Sequence, residues 1–120
     1  MKRIFTYLLV FQIILTVIAQ AQPDVNIAAG NRYKKVSSTM DKLCAQVREQ
    51  LPNSQMQSAF DKTQRTWVQY RNLNADLTAK LTSQGGSAYT YDYLSNLSVS
   101  TEQQIADLKA MLKVLRDDPR

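Results

Sequence analysis

Apolar residues recur at alternating intervals of three and four positions along the first half of the chain. Between positions 33 and 51 they are Tyr33, Val36, Met40, Leu43, Val47 and Leu51. This spacing is typical of one buried face of an α-helix, because a helical turn takes 3.6 residues. Pro52 follows directly, and a proline ring disfavours a helical conformation at the residue before it. The pattern predicts a first helix that begins near Asp24, with that side chain as N-cap, and ends before Pro52.

A second stretch with helical spacing follows and ends at a pair of glycines. Ser54 is its predicted N-cap. The predicted buried face consists of Met56, Phe60, Thr63, Trp67, Tyr70, Asn74, Leu77 and Leu81. Two ion pairs between residues four apart are expected on the outer surface, Asp61–Arg65 and Asp76–Lys80. Gly85-Gly86 then breaks the pattern, so a second helix is predicted between Ser54 and the glycines.

The start of the third stretch admits two interpretations. Tyr89, Tyr91 and Tyr93 alternate with polar residues, as in a short strand, whereas the apolar residues from Leu94 onward keep helical spacing. No other segment offers such a strand a partner, so we predict a helix from about Ala88 to the Asp117-Asp118-Pro119 end. A kink or a fresh start is expected near residues 98–100, where a capping box begins. Three amphipathic helices with short breaks predict an all-α fold, an antiparallel three-helix bundle.

The first 21 residues have the three parts of a secretory signal peptide. Lys2 and Arg3 precede an apolar run over residues 4–19, and small residues close it at Ala19-Gln20-Ala21. A membrane anchor is the rival interpretation, but a bilayer span takes about 20 apolar residues and this run is shorter. We therefore expect a signal peptide at 1–21, cleaved after Ala21 or Ala19, and a helical domain at 22–120. The mature chain should carry no transmembrane span and should be periplasmic or secreted.

Composition excludes several classes of function. The 120 residues include no His and one Cys, Cys44, so neither a Cys/His zinc cluster nor a histidine-based triad can form. The acidic residues fall mostly on predicted outer faces, and no glycine-rich phosphate loop follows a strand. We predict no catalytic residues, no metal, no cofactor and no enzymatic activity. Cys44 is either a buried free thiol or a partner in a disulfide between chains, since one cysteine cannot pair within its own chain.

The positive charges form two loose groups on the first and third helices. Loss of Lys2 and Arg3 would lower the net charge from +5 to +3. The groups are Arg32, Lys34, Lys35, Lys42 and Arg48, and then Lys109, Lys113 and Arg116. They form either an ordinary solvated surface or a face that attracts anionic cell-wall polymer or lipid headgroups. Nucleic acid is not an expected partner of an exported chain.

One motif in the second helix points to a known family. It has the form Q-x-x-W-x-x-Y-R and comprises Gln64, Trp67, Tyr70 and Arg71. Downstream stand Gly85-Gly86-Ser87 and then Thr101-Glu102-Gln103-Gln104. This order, after a signal peptide and an amphipathic first helix, resembles the LprI-type lysozyme inhibitor family of small exported bacterial helical domains. The resemblance covers about residues 27–112, with Asn31 and Tyr33 as weaker correspondences.

The chain departs from that family pattern at three positions. Family members usually carry one cysteine just after the Trp-Tyr-Arg motif and another ahead of the last-helix Thr, and here those places are held by Ala75 and Asn96. The last-helix Arg that often follows the Thr is Gln104. The resemblance therefore implies a divergent member that lacks the disulfide of its relatives.

The resemblance implies structural roles for the motif residues. We expect Trp67 and Tyr70 in the core and Gln64 as a cap or a bridge between helices. Arg71 should form an ion pair, or a hydrogen bond to a helix terminus or a loop carbonyl near the glycines. A ligand role for Arg71 toward a carboxylate is the alternative.

The implied activity is non-catalytic binding that inhibits lysozyme by occluding its cleft, or binding of another envelope protein. The candidate contact surface is a flexible loop, residues 84–93, and its named members are Ser87, Tyr89, Tyr91, Asp92 and Tyr93. Two of these tyrosines could instead cover the open end of the bundle. A basic chain gains no long-range attraction toward a basic lysozyme. The alternative is therefore a structural envelope protein that binds anionic surfaces and inhibits nothing.

Overall fold

The protein is an up-down-up bundle of three helices in a computed structural model. The structure describes the backbone over residues 2–118 and the side chains over residues 24–118. The helices are α1 (Lys2–Gln50), α2 (Ser54–Ser83) and α3 (Tyr89–Asp117), and the described backbone contains no strand. Helix α3 packs closely against both α1 and α2, while α1 and α2 meet largely through long side chains. The predicted all-α three-helix bundle is confirmed.

Helix α1 ends where the sequence predicts but does not begin there. It is already helical at Asp24, so this residue has no unpaired first-turn N–H groups to cap and its predicted N-cap role is wrong. Its predicted face is buried at Met40, Leu43 and Val47. The side chains of the predicted signal peptide, residues 1–21, lie outside the described residues, so that prediction stays untested. Within residues 24–118, whose side chains the structure describes, no helix is long and apolar enough to cross a membrane.

Helix α2 is capped at both ends by specific residues. The cap at its start is Asn53, one residue before the predicted Ser54, and its side-chain oxygen accepts a hydrogen bond from the Met56 backbone N–H at 2.9 Å. At its end Gln84 adopts a left-handed conformation (φ 50°) and donates its backbone N–H to the Lys80 carbonyl at 3.0 Å. Gly85 follows with φ 75°, a conformation in which glycine is favoured.

The predicted buried face of α2 is largely wrong: Phe60 is buried and Trp67 half-buried, whereas Met56 and Thr63 in its first half are exposed. The buried residues are Phe60, Arg71, Ala75 and Ala79. Tyr70, Leu77 and Leu81, which the spacing predicts to be inside, are exposed. Small residues face α3 in the second half of the helix, and two methyl side chains allow the two backbones to approach closely. The large residues of this half of α2 therefore point away from the bundle.

Helix α3 is one continuous helix through the region where a kink or a fresh start was expected. Ser98 and Thr101 are fully buried within it, so the capping-box interpretation is wrong. Tyr89, Tyr91 and Tyr93 belong to its first turns rather than to a strand or a loop. The connection from α2 is accordingly only residues 84–88.

The interior changes in character along the bundle. At the end near the α1–α2 turn, a core of large apolar residues comprises Met40, Leu43, Val47, Phe60, Leu108 and Leu112. Burying each such side chain stabilises the fold by about 1.5–3 kcal/mol. Toward the α2–α3 turn the interior becomes small and polar, with Ala75, Ala79, Ser98, Thr101 and Arg71. Of the motif residues, Arg71 is buried in this second half, whereas Trp67 packs against the apolar core.

Surface ion pairs connect neighbouring helices. Arg48 of α1 binds Asp61 of α2 at 3.2 Å, so the predicted Asp61–Arg65 pair is not the one that forms. The predicted Asp76–Lys80 pair is present at 2.8 Å. A bidentate contact between Arg32 and Glu102, at 2.9 Å, joins α1 to α3. Exposed pairs of this kind contribute about 0–1 kcal/mol each.

Candidate binding site

Arg71 lies at the centre of the polar half of the bundle and contacts all three helices. It is only 4 % exposed. Its Nη2 donates to the Tyr33 hydroxyl of α1 at 2.9 Å, and its Nη1 donates to Thr101 Oγ1 of α3 at 3.2 Å. Nε and Nη2 also donate to Asn72 Oδ1, at 3.1 and 3.0 Å. We call Arg71 with Tyr33, Asn72, Thr101 and Trp67 the arginine cluster.

The arginine cluster holds its cation without a carboxylate. Within residues 24–118 no acidic group lies within ion-pair distance of Arg71, so the predicted ion pair, or bond to a loop carbonyl, is wrong. The guanidinium carbon instead lies 5.4 Å from the Tyr33 ring centroid and 5.2 Å from the Trp67 ring centroid. Two aromatic faces and three oxygen acceptors thus replace the water lost on burial. Thr101 in turn donates to the Leu97 carbonyl at 2.7 Å, which fixes its oxygen for the arginine.

Gln64 joins the three helices one layer further along the bundle. Its Oε1 accepts hydrogen bonds from Gln104 Nε2 of α3 at 3.2 Å and from Cys44 Sγ of α1 at 3.6 Å. Burial raises the pKa of the Cys44 thiol, and the nearby Asp41 carboxylate adds to the rise. Cys44 is a free, half-buried thiol whose neutral form is favoured, so it is a weak nucleophile.

Tyr70 lies on the surface, 65 % exposed, and its predicted place in the core is wrong. Helical rotation explains this position, because the neighbouring Arg71 occupies the inward direction and residues one apart point about 100° from each other. Tyr70 borders a shallow cavity of about 200 Å³ between α2 and α3. The half-buried Trp67 forms one wall of this cavity, and its other walls are mostly polar: Arg71, Asn74, Ser100, Gln103, Gln104 and Asp107.

The turn between α2 and α3 is fastened on both sides by hydrogen bonds. The Tyr89 hydroxyl binds the Asp76 carboxylate in a short contact, and Thr82 Oγ1 donates to Asp92 Oδ2 at 2.8 Å. The rings of Tyr89 and Tyr93 stack with centroids 5.9 Å apart. Hydrogen bonds from Lys80 and Tyr89 lower the pKa of Asp76, and the bond to Asp76 raises the pKa of Tyr89.

The structure separates the residues of the predicted contact surface. Tyr89, Asp92 and Tyr93 lie on or near the side of α3 that faces α2, and the first two are hydrogen-bonded to it. Tyr91 points to the other side, where it is 44 % exposed. There it borders a groove of about 280 Å³ between α1 and α3. Ser87 is exposed within the turn. The predicted surface is therefore two patches joined by the turn.

Some members of the site have little signal in the sequence. Asn72 belongs to no motif, and spacing predicts the Lys80 partner of Asp76 but not its Tyr89 partner on α3. Tyr33 and Thr101 stand in the family-like pattern, but the pattern does not show that both bind Arg71. Within residues 24–118, no group of three Cys, Asp or Glu side chains could hold a metal ion.

These contacts define a small helical protein in which buried polar side chains hold the three helices together. A family model described as "Lysozyme inhibitor LprI" matches residues 17–108. The chain belongs to this family, as its motif predicts. No match was found among the curated proteins, and none among the solved structures.

Ala75 and Asn96, the two positions where the resemblance leads us to expect cysteines, lie on facing helices. Ala75 is buried on α2, and Asn96 is half-buried on α3. The pairs Arg71–Thr101 and Thr82–Asp92 set an antiparallel register that places Ala75 and Asn96 at the same level. The Asn96 amide donates to the Asp92 carbonyl in its own helix, at 2.8 Å.

Proposed function

We propose that the chain is exported and inhibits lysozyme by binding over the enzyme's cleft, without chemistry of its own. The observation that carries this proposal is the family match, which spans all of the motif residues. The arginine cluster supports it in a second way. Because a buried network orders the three helices, the turn at their end is held in one conformation before any partner arrives. Such pre-organisation lowers the entropy lost on binding.

The proposed contact surface is the α2–α3 turn, residues 84–88, together with Tyr91. The bonds Tyr89–Asp76 and Thr82–Asp92 fix the two ends of this turn. Residues 84–88 and Tyr91 are all exposed. A tyrosine ring offers a large contact area with a polar tip and is enriched among residues that dominate binding energies.

The test is a cell-wall lysis assay with lysozymes of several structural types. The full chain is expressed, and the exported protein is purified and sequenced from its N-terminus, which also tests cleavage after Ala21 or Ala19. Tyr91→Ala should weaken inhibition at least about tenfold without a change in melting temperature. Val114→Ala is the matched control, since Val114 is a similarly exposed apolar residue toward the other end of α3. If no lysozyme is slowed at micromolar protein and none co-elutes, the proposal is wrong.

A second candidate function is binding to anionic envelope surfaces. Lys35 and Lys42 on α1, seven residues apart, share one side of that helix, and Lys109 and Arg116 share the side of α3 that carries Glu102. All four are exposed, and among the described residues none has an acidic partner within ion-pair distance. The Arg32–Glu102 pair shows that these sides of α1 and α3 adjoin. The arrangement is a basic strip away from α2.

Vesicle sedimentation separates this candidate from the first. Binding to anionic vesicles that falls steeply with added salt, and falls further in Lys109→Gln, would support the basic strip. Arg65→Gln, an exposed charge on α2, is the control and should bind like the wild type. Equal binding to neutral vesicles, or equal loss in both variants, would contradict it.

A further inference from the structure

Helix α2 has a second apolar face, opposite the one that packs into the bundle. It consists of Tyr70, Leu73, Leu77 and Leu81, which are 65, 72, 57 and 68 % exposed. Their spacing of three, four and four residues places them in one line along the helix. We call this line the outer stripe. An apolar line on each side of a helix is the pattern of a helix that lies between two layers, whereas an ordinary surface helix is polar outside.

The distribution of residue sizes on α2 strengthens this reading. In the same half of the helix the inner positions are the small residues Ala75 and Ala79, and the large apolar residues are outside. A chain that folds only for its own core would place leucines inward. Ile27 on α1 and Val114 on α3 are as exposed but lie on other helices, and Met56 of α2 lies 14 positions before Tyr70, so none of them extends the outer stripe.

We infer that the outer stripe is a homodimer interface, in which α2 of one chain packs antiparallel against α2 of a second copy. Such pairing is isologous, since a two-fold axis near residues 75–76 sets Tyr70 beside Leu81 of the partner and Leu73 beside Leu77. The stripe extends about 17 Å along the helix, at about 1.5 Å per residue. This pairing covers the outer stripes of both chains, so neither stripe remains exposed to bind a third copy.

The area of the outer stripe suits a weak dimer. Full burial of an aromatic side chain removes about 150–250 Å² from water, and a leucine somewhat less. With the exposed fractions given above, the four residues offer roughly 500 Å² per chain and about 1,000 Å² per pair, near the lower limit for a specific interface. A dissociation constant in the micromolar range is therefore expected.

The charges around the outer stripe permit two copies of a basic chain to meet. None of the four residues is charged, and the nearest charge on this side of α2 is Lys80. Asp76 already binds Lys80 at 2.8 Å, so no unpaired like charges face each other across the proposed interface. The basic strip lies on the α1–α3 side, away from α2, and stays in solvent.

The test is the mass of the exported protein in solution. Light scattering after size exclusion, in reductant and over roughly 1–200 µM, should show a monomer that converts to a dimer, as expected for an interface of this area. Leu73→Lys with Leu77→Lys should stay monomeric with an unchanged circular dichroism spectrum and melting temperature, because both side chains are exposed. Ile27→Lys with Val114→Lys, at similarly exposed positions on α1 and α3, should dimerise like the wild type.

A cross-link tests the orientation. In a Cys44→Ala background, Leu77→Cys, at an exposed position of the outer stripe within about 5 Å of the axis along the helix, should form a disulfide-linked dimer on mild oxidation, while Val114→Cys should not. A monomer at every concentration, a dimer that survives the two lysine substitutions, or a Leu77→Cys chain that fails to cross-link would each overturn the inference. If the protein is monomeric and the variant with Leu73→Lys and Leu77→Lys no longer inhibits lysozyme, the inference is also overturned, because the outer stripe would then be the surface that contacts the enzyme.

Discussion

Replacement of Arg71 should reveal how far one buried cation holds the polar half of the bundle together. Lysine keeps the charge at this position, but its compact ammonium group lacks the planar fork that reaches Tyr33, Asn72 and Thr101 together. A hydrogen bond to a charged group contributes about 1.5–3 kcal/mol, and each cation–π contact about 0.5–2 kcal/mol. Arg71→Lys loses some of these contacts and keeps a charge that must be solvated.

From these contacts we expect Arg71→Lys to lower the free energy of unfolding by about 2–4 kcal/mol and Arg71→Ala by about 3–5 kcal/mol. A domain of this size has a total stability of about 5–15 kcal/mol, so either change removes a large part of it. The assay is urea unfolding, followed by circular dichroism and by the fluorescence of Trp67, the only tryptophan, whose ring lies 5.2 Å from the guanidinium carbon. Arg65→Lys, an exposed arginine of the same helix, is the control and should change stability by less than about 0.5 kcal/mol.

A double-mutant cycle with Tyr33→Phe isolates the bond between α1 and α2. The hydroxyl of Tyr33 accepts from Nη2 at 2.9 Å, so the effects of Tyr33→Phe and Arg71→Lys should overlap by about 1 kcal/mol or more. Additive effects would show that the two residues do not act together. An Arg71→Lys chain as stable as the control would refute the view that the fork organises the three helices.

Three further predictions concern the cap, the turn and the missing disulfide. Asn53→Ala should destabilise the fold by about 1 kcal/mol in thermal melts and Ser54→Ala should not, because the Asn53 side chain makes the capping bond to the Met56 N–H. Hydrogen bonds from Lys80, and then from Tyr89, lower the pKa of Asp76, and the bond to Asp76 raises the pKa of Tyr89. The Tyr89–Asp76 contact should stabilise the fold between about pH 4 and pH 10, and this stability is lost as pH falls through the folded pKa of Asp76 or rises through that of Tyr89. Tyr89→Phe should reduce the pH dependence of the urea midpoint and leave the acid-side part that comes from Lys80. In a Cys44→Ala background, Ala75→Cys with Asn96→Cys should form a disulfide. For a loop of this length it should raise the free energy of unfolding by about 3 kcal/mol, measured as the difference with and without reductant. A failure to oxidise would show that the two positions do not face each other.

The sequence predicts the buried faces of α1 and α3 well because their large apolar residues contribute to one core. Met40, Leu43 and Val47 on α1, and Leu108 and Leu112 on α3, lie where their spacing places them. The turns are also predictable to within one or two residues, since proline and glycine end helices for local steric reasons.

The inner face of α2 could not be read from hydrophobic spacing alone. A search for large apolar residues finds Tyr70, Leu77 and Leu81, whereas the packed positions are Ala75 and Ala79. Alanine carries little hydrophobic signal, yet it is selected where two helices approach closely. When a helix has two apolar faces, the spacing fits both, and only the neighbouring helices decide which one is inside.

The sequence predicts which residues belong to the site, but not which residues they contact. Gln64, Trp67 and Arg71 stand out in the sequence, but the acceptors of Arg71 on α1 and α3 are 38 and 30 positions away. Such pairings follow from the register of whole helices, which no local pattern determines. The separation of Tyr91 from Tyr89 and Tyr93 has the same origin, because residues two apart on a helix point in nearly opposite directions.

The two halves of the bundle therefore depend on different forces. Near the α1–α2 turn, large side chains bury apolar area, a non-directional interaction that tolerates small shifts of one helix against another. Near the α2–α3 turn, alanines supply little area, and directional bonds from Arg71 to Tyr33 and Thr101 fix the positions of the helices. If relatives carry the cysteine pair that the resemblance implies, a covalent link would act at the level of Ala75 and Asn96. In this chain that level lies one helical turn from Arg71. The positions of the helices there depend on the hydrogen bonds of the arginine cluster, and we expect these bonds to be lost together when one member is removed.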